Sequence, residues 1–316
     1  MQRPLPVTAV TETPMPPQAR RLVPLPRLYD FDATFGFLLV GPRDPTLRRG
    51  PGRFVRASRT PLGPVALDLA RVAEGVLAQA WGPGAEWALE RVESMLGLDD
   101  SVEGLAAPPG RLATLIRRGR GLRLGRTPFV FDALVAIVLQ QRVAFRDAAS
   151  AHRRLVSALG EAAPGPFDLR LPLSPRHWLA LSGEDFRKAE VDGQRAATLR
   201  AVARRAGEVD ATFGLAPAEA RQRLAQLPGC GPWTVAMTLG FTLGDPDAVP
   251  VGDLHLPHLV AWALAGEHAG SDARMLELLE PFRGHRFRLI RLLYAAGLTP
   301  PARPPGYLQR AASGRG

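Results

Sequence analysis

Between Leu224 and Leu256 the chain reads LAQLPGCGPWTVAMTLGFTLGDPDAVPVGDLHL, and this stretch constrains the fold more than any other. Leu227-Pro228-Gly229-Cys230-Gly231 joins two apolar segments of helical pattern. Gly229 and Gly231 allow positive φ and leave no side chain in the way of a close ligand. Pro232 opens the second helix, where its missing N–H costs little. The amides of Gly229, Gly231 and their neighbours can then point at a phosphate, and Thr234 can add a hydroxyl. An ordinary helical hairpin with a glycine turn is the plainer reading. The chain returns through Val249-Pro250-Val251-Gly252 and places one carboxylate, Asp253, just before another apolar helical run. Gly229 and Asp253 are 24 residues apart, about what one helix and a returning loop require. Asp253 also reads as a helix N-cap. The two roles are compatible, because a helix N-terminus stabilises negative charge.

With 316 residues the chain can build two or three domains. Its net charge of +10 comes from 39 arginines and a single lysine, Lys188. Arginine suits bidentate contact with phosphate and with guanine edges, so nucleic acid and an acidic membrane surface are both candidate partners. The one cysteine, Cys230, excludes an internal disulfide and a four-cysteine zinc or iron–sulfur site. No apolar run reaches membrane-span length, and Met1 to Arg20 lacks the apolar core of a secretory signal. A soluble protein of a reducing, intracellular compartment is expected.

The fold class expected is α+β multidomain. Residues 1–21, rich in proline, read as a disordered tail. Residues 22–104 read as an antiparallel sheet domain. Its strands are the short alternating runs Phe54–Ser58, Val65–Leu69 and Val76–Trp81, separated by Gly/Pro turns, and a helix follows over Ala85–Leu96. Residues 105–299 read as helical, with Phe129–Leu139 apolar nearly all round and therefore a buried central helix. Further helices are expected over Arg146–Leu159, Gln194–Ala206, Pro217–Leu227, Leu254–Leu264, Ser271–Leu279 and Arg286–Ala296. Residues 300–316 return to Pro, Gly and Arg and read as a loose tail.

The LPGCG hairpin followed by Asp253 at this spacing resembles the helix–hairpin–helix, Gly/Pro-rich-loop, Asp superfamily of DNA glycosylases, over roughly residues 105–297. Trp233 in LPGCGPWT and the preceding antiparallel domain look like its 3-methyladenine DNA glycosylase II, AlkA-like branch. The resemblance implies helical-bundle domains with the active-site cleft between them. It implies a monomer that acts on double-stranded DNA, flips out an alkylated purine and hydrolyses its N-glycosidic bond, leaving an abasic site. Asp253 would be the catalytic carboxylate, stabilising oxocarbenium character at C1′ and able to orient water. Trp233 would wall the base pocket with Phe282. Positions that are aromatic in the best-known members are Met237, Leu254 and Leu279 here, so the pocket is expected to be roomier. Cationic alkylated purines, 3-methyladenine and 7-methylguanine, are the expected lesions. Leu227, Gly229, Gly231 and Thr234 would hold the DNA backbone, and Leu139-Gln140-Gln141-Arg142-Val143 resembles the turn that fills the gap left by the flipped base. That puts Gln141 on the DNA and Arg142 at the wedge, where an apolar residue is usual; the arginine could instead stack on bases or reach a phosphate.

Bifunctional members carry a lysine two residues after the second hairpin glycine, where this chain has Trp233. No lyase activity is therefore expected. The iron–sulfur cluster of some relatives is excluded by the cysteine count. No metal or organic cofactor is expected, and the resemblance allows a monovalent cation at the hairpin backbone 227–231. A DNA-binding protein without catalysis, and a glycosylase for another lesion, are the alternatives. His255, His258 and His285 read as solvent or core histidines rather than metal ligands. Arg283, Arg286, Arg288 and Arg291, like Arg117, Arg118, Arg120, Arg123 and Arg126, are either solvated faces or phosphate contacts.

Overall fold

Two-residue turns at Pro61-Leu62 and Ala73-Glu74 set the register of the sheet. The computed structural model describes residues 15–36, 40–41, 43–107 and 109–299. Its five antiparallel strands are Ala19–Val23 (β1), Leu47–Gly50 (β2), Arg53–Thr60 (β3), Gly63–Val72 (β4) and Gly75–Trp81 (β5), in the order β1-β5-β4-β3-β2. The three expected strands are β3, β4 and β5. Two are additional. The tail expected through Arg21 is corrected, since Ala19–Arg21 belong to β1, paired with β5 from Ala19↔Ala80 to Val23↔Val76. The rest of that tail, residues 1–14, and the C-terminal tail lie outside the described residues.

Alternation in β4 is weaker than a half-solvated strand would show, because both faces of the sheet are covered. Ala66 to Leu69 are fully or nearly fully buried. Leu67 and Leu69 pack with Phe31, Val76, Leu89, Val92 and Phe129 on one face. On the other, Val55 and Ala57 meet Leu169 and Leu171, from a segment far along the chain.

Fifteen α-helices accompany the sheet: Phe31–Thr34 (α1), Ala85–Leu89 (α2), Val92–Met95 (α3), Arg111–Arg118 (α4), Val130–Leu139 (α5), Phe145–Leu159 (α6), Pro175–Ala180 (α7), Gly183–Lys188 (α8), Gly193–Arg204 (α9), Ala206–Ala211 (α10), Pro217–Ala225 (α11), Pro232–Thr242 (α12), Leu256–Ala265 (α13), Asp272–Leu279 (α14) and Arg286–Ala295 (α15), counted among the described residues. The single helix expected over 85–96 is two short ones. The Arg91 guanidinium lies 4.0 Å from the Trp87 ring centroid and donates to the Trp87 carbonyl, while the Arg91 amide turns to Ala88 O.

The helices form two cores. Helices α5 to α12 enclose one, around Trp178, Phe186 and Leu199. Helices α4, α13, α14 and α15 enclose the other, around Met275, Leu279 and Phe287. A buried ion pair, Arg288 to Asp100 at 2.8 Å, fastens α15 to the end of the sheet domain. No helix among the described residues is long and apolar enough to cross a membrane.

Two carboxyls flank the start of α5, Asp132 half-buried and Asp210 partly open to solvent. Asp210 accepts the Phe131 amide at 2.8 Å, and partial desolvation raises its pKa to about 6. Burial raises Asp132 to about 7, opposed by Arg56. Both groups hold their proton more tightly folded than unfolded. Their contribution to stability is therefore fully present below about pH 4 and is lost as pH rises toward about 7. The urea midpoint should rise when pH is lowered from about 8 to about 5, and Asp210→Asn should give a shallower profile. A flat wild-type profile would contradict this.

Candidate active site

Helix α12 is buried on nearly every side, and its N-terminus carries the hairpin. Gly229 has φ +83, and a Cβ there would stand 2.0 Å from Thr198 Oγ1 on α9. Glycine is required both by the left-handed backbone and by this close approach. Gly231 corrects the sequence expectation: its φ is −75 with extended ψ, and a Cβ there would meet nothing within 4 Å. Cys230 N donates to Leu227 O at 3.0 Å and closes the turn. The amides of Gly229 and Gly231 have no partner among the described residues and sit beside the α12 N-terminus, an arrangement suited to an anion.

Gln141 braces this hairpin. Its Nε2 donates to Gly229 O at 3.0 Å and to Thr234 Oγ1 at 2.8 Å. Thr234 is 2% exposed, so its expected presentation to a phosphate is corrected: its hydroxyl faces inward to Gln141. Leu227 is likewise a core residue, 4% exposed, available to a ligand only through its backbone. The carbonyls of Leu227 and Gly229 each keep a lone pair beyond the hydrogen bonds described, which is what a monovalent cation would take. Next to Gln141, Arg142 is exposed at the tip of the α5–α6 turn with φ +60, a strained conformation for a residue with a Cβ. Phe145, at the start of α6, is 44% exposed.

Trp233 and Asp253 meet across the junction of the two helical cores. Trp233 Nε1 donates to Asp253 Oδ2 at 2.9 Å. Asp253 Oδ1 accepts the amides of His255 and Leu256, both at 2.8 Å. The carboxylate is thus oriented by three N–H groups at the start of α13, and both oxygens retain lone pairs. The Asp253 loop is itself held. Gly252, at φ +90, donates its amide to the Asp272 carboxylate at 3.1 Å, and Asp247 accepts the Gly284 amide at 2.7 Å. Tyr294 belongs to this neighbourhood too, since burial first, and then the Asp253 charge, push its hydroxyl above its ordinary value. Nothing in local pattern marks Asp272 or Tyr294, whose roles come from packing.

The rest of the expected base pocket is only partly assembled. Met237 lies one turn beyond Trp233, 6% exposed, and Phe282 is 9% exposed in the C-terminal core. Leu254 is corrected: at 76% exposure it points to solvent, because the Asp253 turn directs Leu256 inward instead. Leu279 is fully buried. The run Arg283 to Arg291 is not a free basic face. Arg283 pairs with Glu280, Arg286 with Asp247 and Arg288 with Asp100, while Arg291 donates to the Ala33 and Thr34 carbonyls. In the second cluster Arg117, Arg118 and Arg120 are exposed, whereas Arg123 is buried and Arg126 donates to Phe213 O. His258 accepts the Gly270 amide, and no group of three metal-ligating side chains occurs among the described residues.

The fold has counterparts in solved structures. A 3-methyladenine DNA glycosylase from Archaeoglobus fulgidus superposes with a TM-score of 0.71 at 20% identity, covering 88% of this chain and 98% of that one. The fold is that of the helix–hairpin–helix DNA glycosylases. The 8-oxoguanine glycosylase/lyase of Clostridium acetobutylicum shares it, with a TM-score of 0.63 at 16% identity over 84% of this chain and 92% of that one. In sequence, the chain is 32% identical over 186 residues to a probable bifunctional transcriptional activator/DNA repair enzyme AlkA of Mycobacterium tuberculosis, covering 54% of this chain. It spans only 35% of that relative's length. No protein-family model matches the sequence. Fold and partial sequence match together bear out the resemblance to the glycosylase superfamily and its AlkA-like branch.

Gln141→Ala should leave the buried Thr234 hydroxyl without its partner and loosen the turn. A loss of about 1–3 kcal/mol in urea denaturation is expected, together with faster amide exchange at Gly229 and Gly231. Unchanged exchange there would rule out the bracing role.

Proposed function

We propose that this chain is a monofunctional DNA glycosylase that excises alkylated purines from double-stranded DNA. The observation that carries the proposal is the Trp233–Asp253 hydrogen bond. It fills the position of the lyase lysine with a group that orients the carboxylate and cannot form a Schiff base. The sole lysine, Lys188, is on α8 and pairs with Glu184 at 3.1 Å.

In this reading the hairpin amides of Gly229 and Gly231 grip a backbone phosphate and fix the register of the duplex. The target nucleotide rotates out of the stack, and Arg142 enters the space it leaves. Asp253, held by Trp233 and the α13 amides, presents a carboxylate to C1′. As the C1′–N bond lengthens, positive charge grows on the sugar and the carboxylate stabilises it. Water then adds to C1′, its proton passing to Asp253 or solvent, and the base departs with the bonding electrons. An alkylated purine is already cationic, so it leaves as a neutral base without prior protonation. The indole of Trp233 suits such an electron-poor ring. The arginine-rich composition supports DNA as the partner, and a DNA partner implies an intracellular site of action.

Base release from methylated duplex DNA tests the proposal. Wild type should release 3-methyladenine and 7-methylguanine, and Asp253→Asn should bind the DNA but release at least about a hundredfold less. Borohydride should trap neither protein on DNA. Efficient trapping of wild type would make the enzyme a lyase, and DNA binding with no release of any base would make it a binding protein. Arg142→Gly relieves the left-handed backbone strain. It should therefore leave stability unchanged or higher while slowing base release from duplex; equal loss of both would make Arg142 structural.

A further inference from the structure

The turn between α5 and α6 is held in a conformation it would not adopt alone. Arg142 at its tip has φ +60, and such a backbone persists only where the surroundings over-determine it. Gln141 supplies one constraint through its bonds to Gly229 O and Thr234 Oγ1. A second comes from the loop between α8 and α9, which the mechanism above does not use.

Arg195, in the first turn of α9, is 5% exposed. Each nitrogen of its guanidinium donates to a different group: Nε to the Asp192 carboxylate at 2.7 Å, Nη1 to Leu139 O at 2.9 Å and Nη2 to Glu190 O at 2.9 Å. Leu139 is the last residue of α5 and lies three positions before Arg142. Its carbonyl is one of those a helix leaves without an intrahelical partner, and a cation there suits the negative end of the helix. Glu190 is itself left-handed, with φ +63. Its carboxylate pairs with Arg154 on α6 at 2.7 Å. The loop therefore grips both helices that flank the Arg142 turn. Asp192 locks the loop in its own place by accepting the Arg195 amide at 3.0 Å as the cap of α9.

We propose that Arg195 is a positioning residue that sets the direction in which Arg142 leaves the turn and enters the duplex. Being buried, it acts through α5 rather than on the DNA itself. Its planar fork reaches three acceptors at once, which the single ammonium of a lysine does not reproduce. The proposal rests on the glycosylase reading above, and it carries a substrate consequence. Rotating a base out of a pair costs more than rotating out one with no partner. A correctly aimed Arg142 therefore matters for a paired lesion and little for an unpaired one, and the same holds for Arg195.

Single-turnover release of 7-methylguanine from duplex DNA tests it, with the lesion opposite cytosine or opposite a tetrahydrofuran abasic analogue. Arg195→Lys keeps the charge and loses the fork. It should slow release opposite cytosine at least about tenfold, and opposite the analogue by less than about twofold. Added to Arg142→Gly it should slow release no further, because both act through one turn. Asp192→Asn keeps the α9 cap and loosens Arg195. It should show the same pattern more weakly, and it carries the test if Arg195→Lys does not fold. Equal slowing on both substrates would make Arg195 merely structural, and additive losses would place its action elsewhere; either overturns the proposal. Failure of the glycosylase reading shows separately, as no base release by wild type. Fluorescence of 2-aminopurine opposite the tetrahydrofuran site then decides, since insertion of Arg142 on binding perturbs it without chemistry. Arg142→Gly and Arg195→Lys should both reduce that response, and an unchanged response in Arg195→Lys would overturn the proposal.

Discussion

Everything at the candidate site depends on the burial of α12 between the two helical cores. Val235, Ala236 and Leu239 face one core, while Phe241 packs against the other. Gly240 lets the Phe287 ring approach so closely that a Cβ would stand 2.5 Å from it, and Phe241 meets the same ring edge-on at 4.8 Å. A helix locked on both sides can neither rotate nor slide without opening a cavity in one core. Its N-terminus therefore holds the hairpin, and its first turn holds Trp233, at fixed positions relative to α13. The Trp233–Asp253 hydrogen bond is the consequence.

The loop from Leu243 to Asp253 must deliver a carboxylate back to the start of the helix it has just left. It contains no regular element, so individual hydrogen bonds set its geometry. Asp245 N reaches Leu239 O, Asp247 collects the amides of Gly284 and Arg286, and Asp272 takes the amide of Gly252. Three aspartates thus surround a fourth, and their work is mechanical. Arg286 serves the same purpose from α15, and Arg288 ties that helix to Asp100 at the end of the sheet domain. A large part of the positive charge near the site is taken up in holding loops together, and the net charge of +10 overstates what is free to meet a phosphate.

Much of this is legible in the chain as a string of residues. The hairpin, the start of α12, the boundaries of α5, α14 and α15 within a residue or two, and strands β3 to β5 follow from periodicity and turn residues, which act over a few neighbours. The edge strand β1 is hidden because Ala19–Val23 has too little alternation of its own and is held by pairing with β5. The break between α2 and α3 arises from one arginine folding back on Trp87. Arginine runs look alike along the chain, yet only the burial of each helix tells Arg288 from Arg117.

Residue identity and spacing account for the glycine hairpin, the carboxylate at its distance from it, the tryptophan where a lysine would stand, and the lack of cysteine clusters. The covalent chain carries those features directly. Which way neighbouring side chains point is settled in three dimensions. Packing turned Thr234 and Leu227 inward, sent Leu254 to solvent, brought Asp272 to the Gly252 amide beside Asp253, and gathered four arginines and a histidine around one cavity. These outcomes depend on contacts between segments tens to hundreds of residues apart, and one-dimensional patterning holds no record of which distant side chain will claim a hydrogen bond or fill a space.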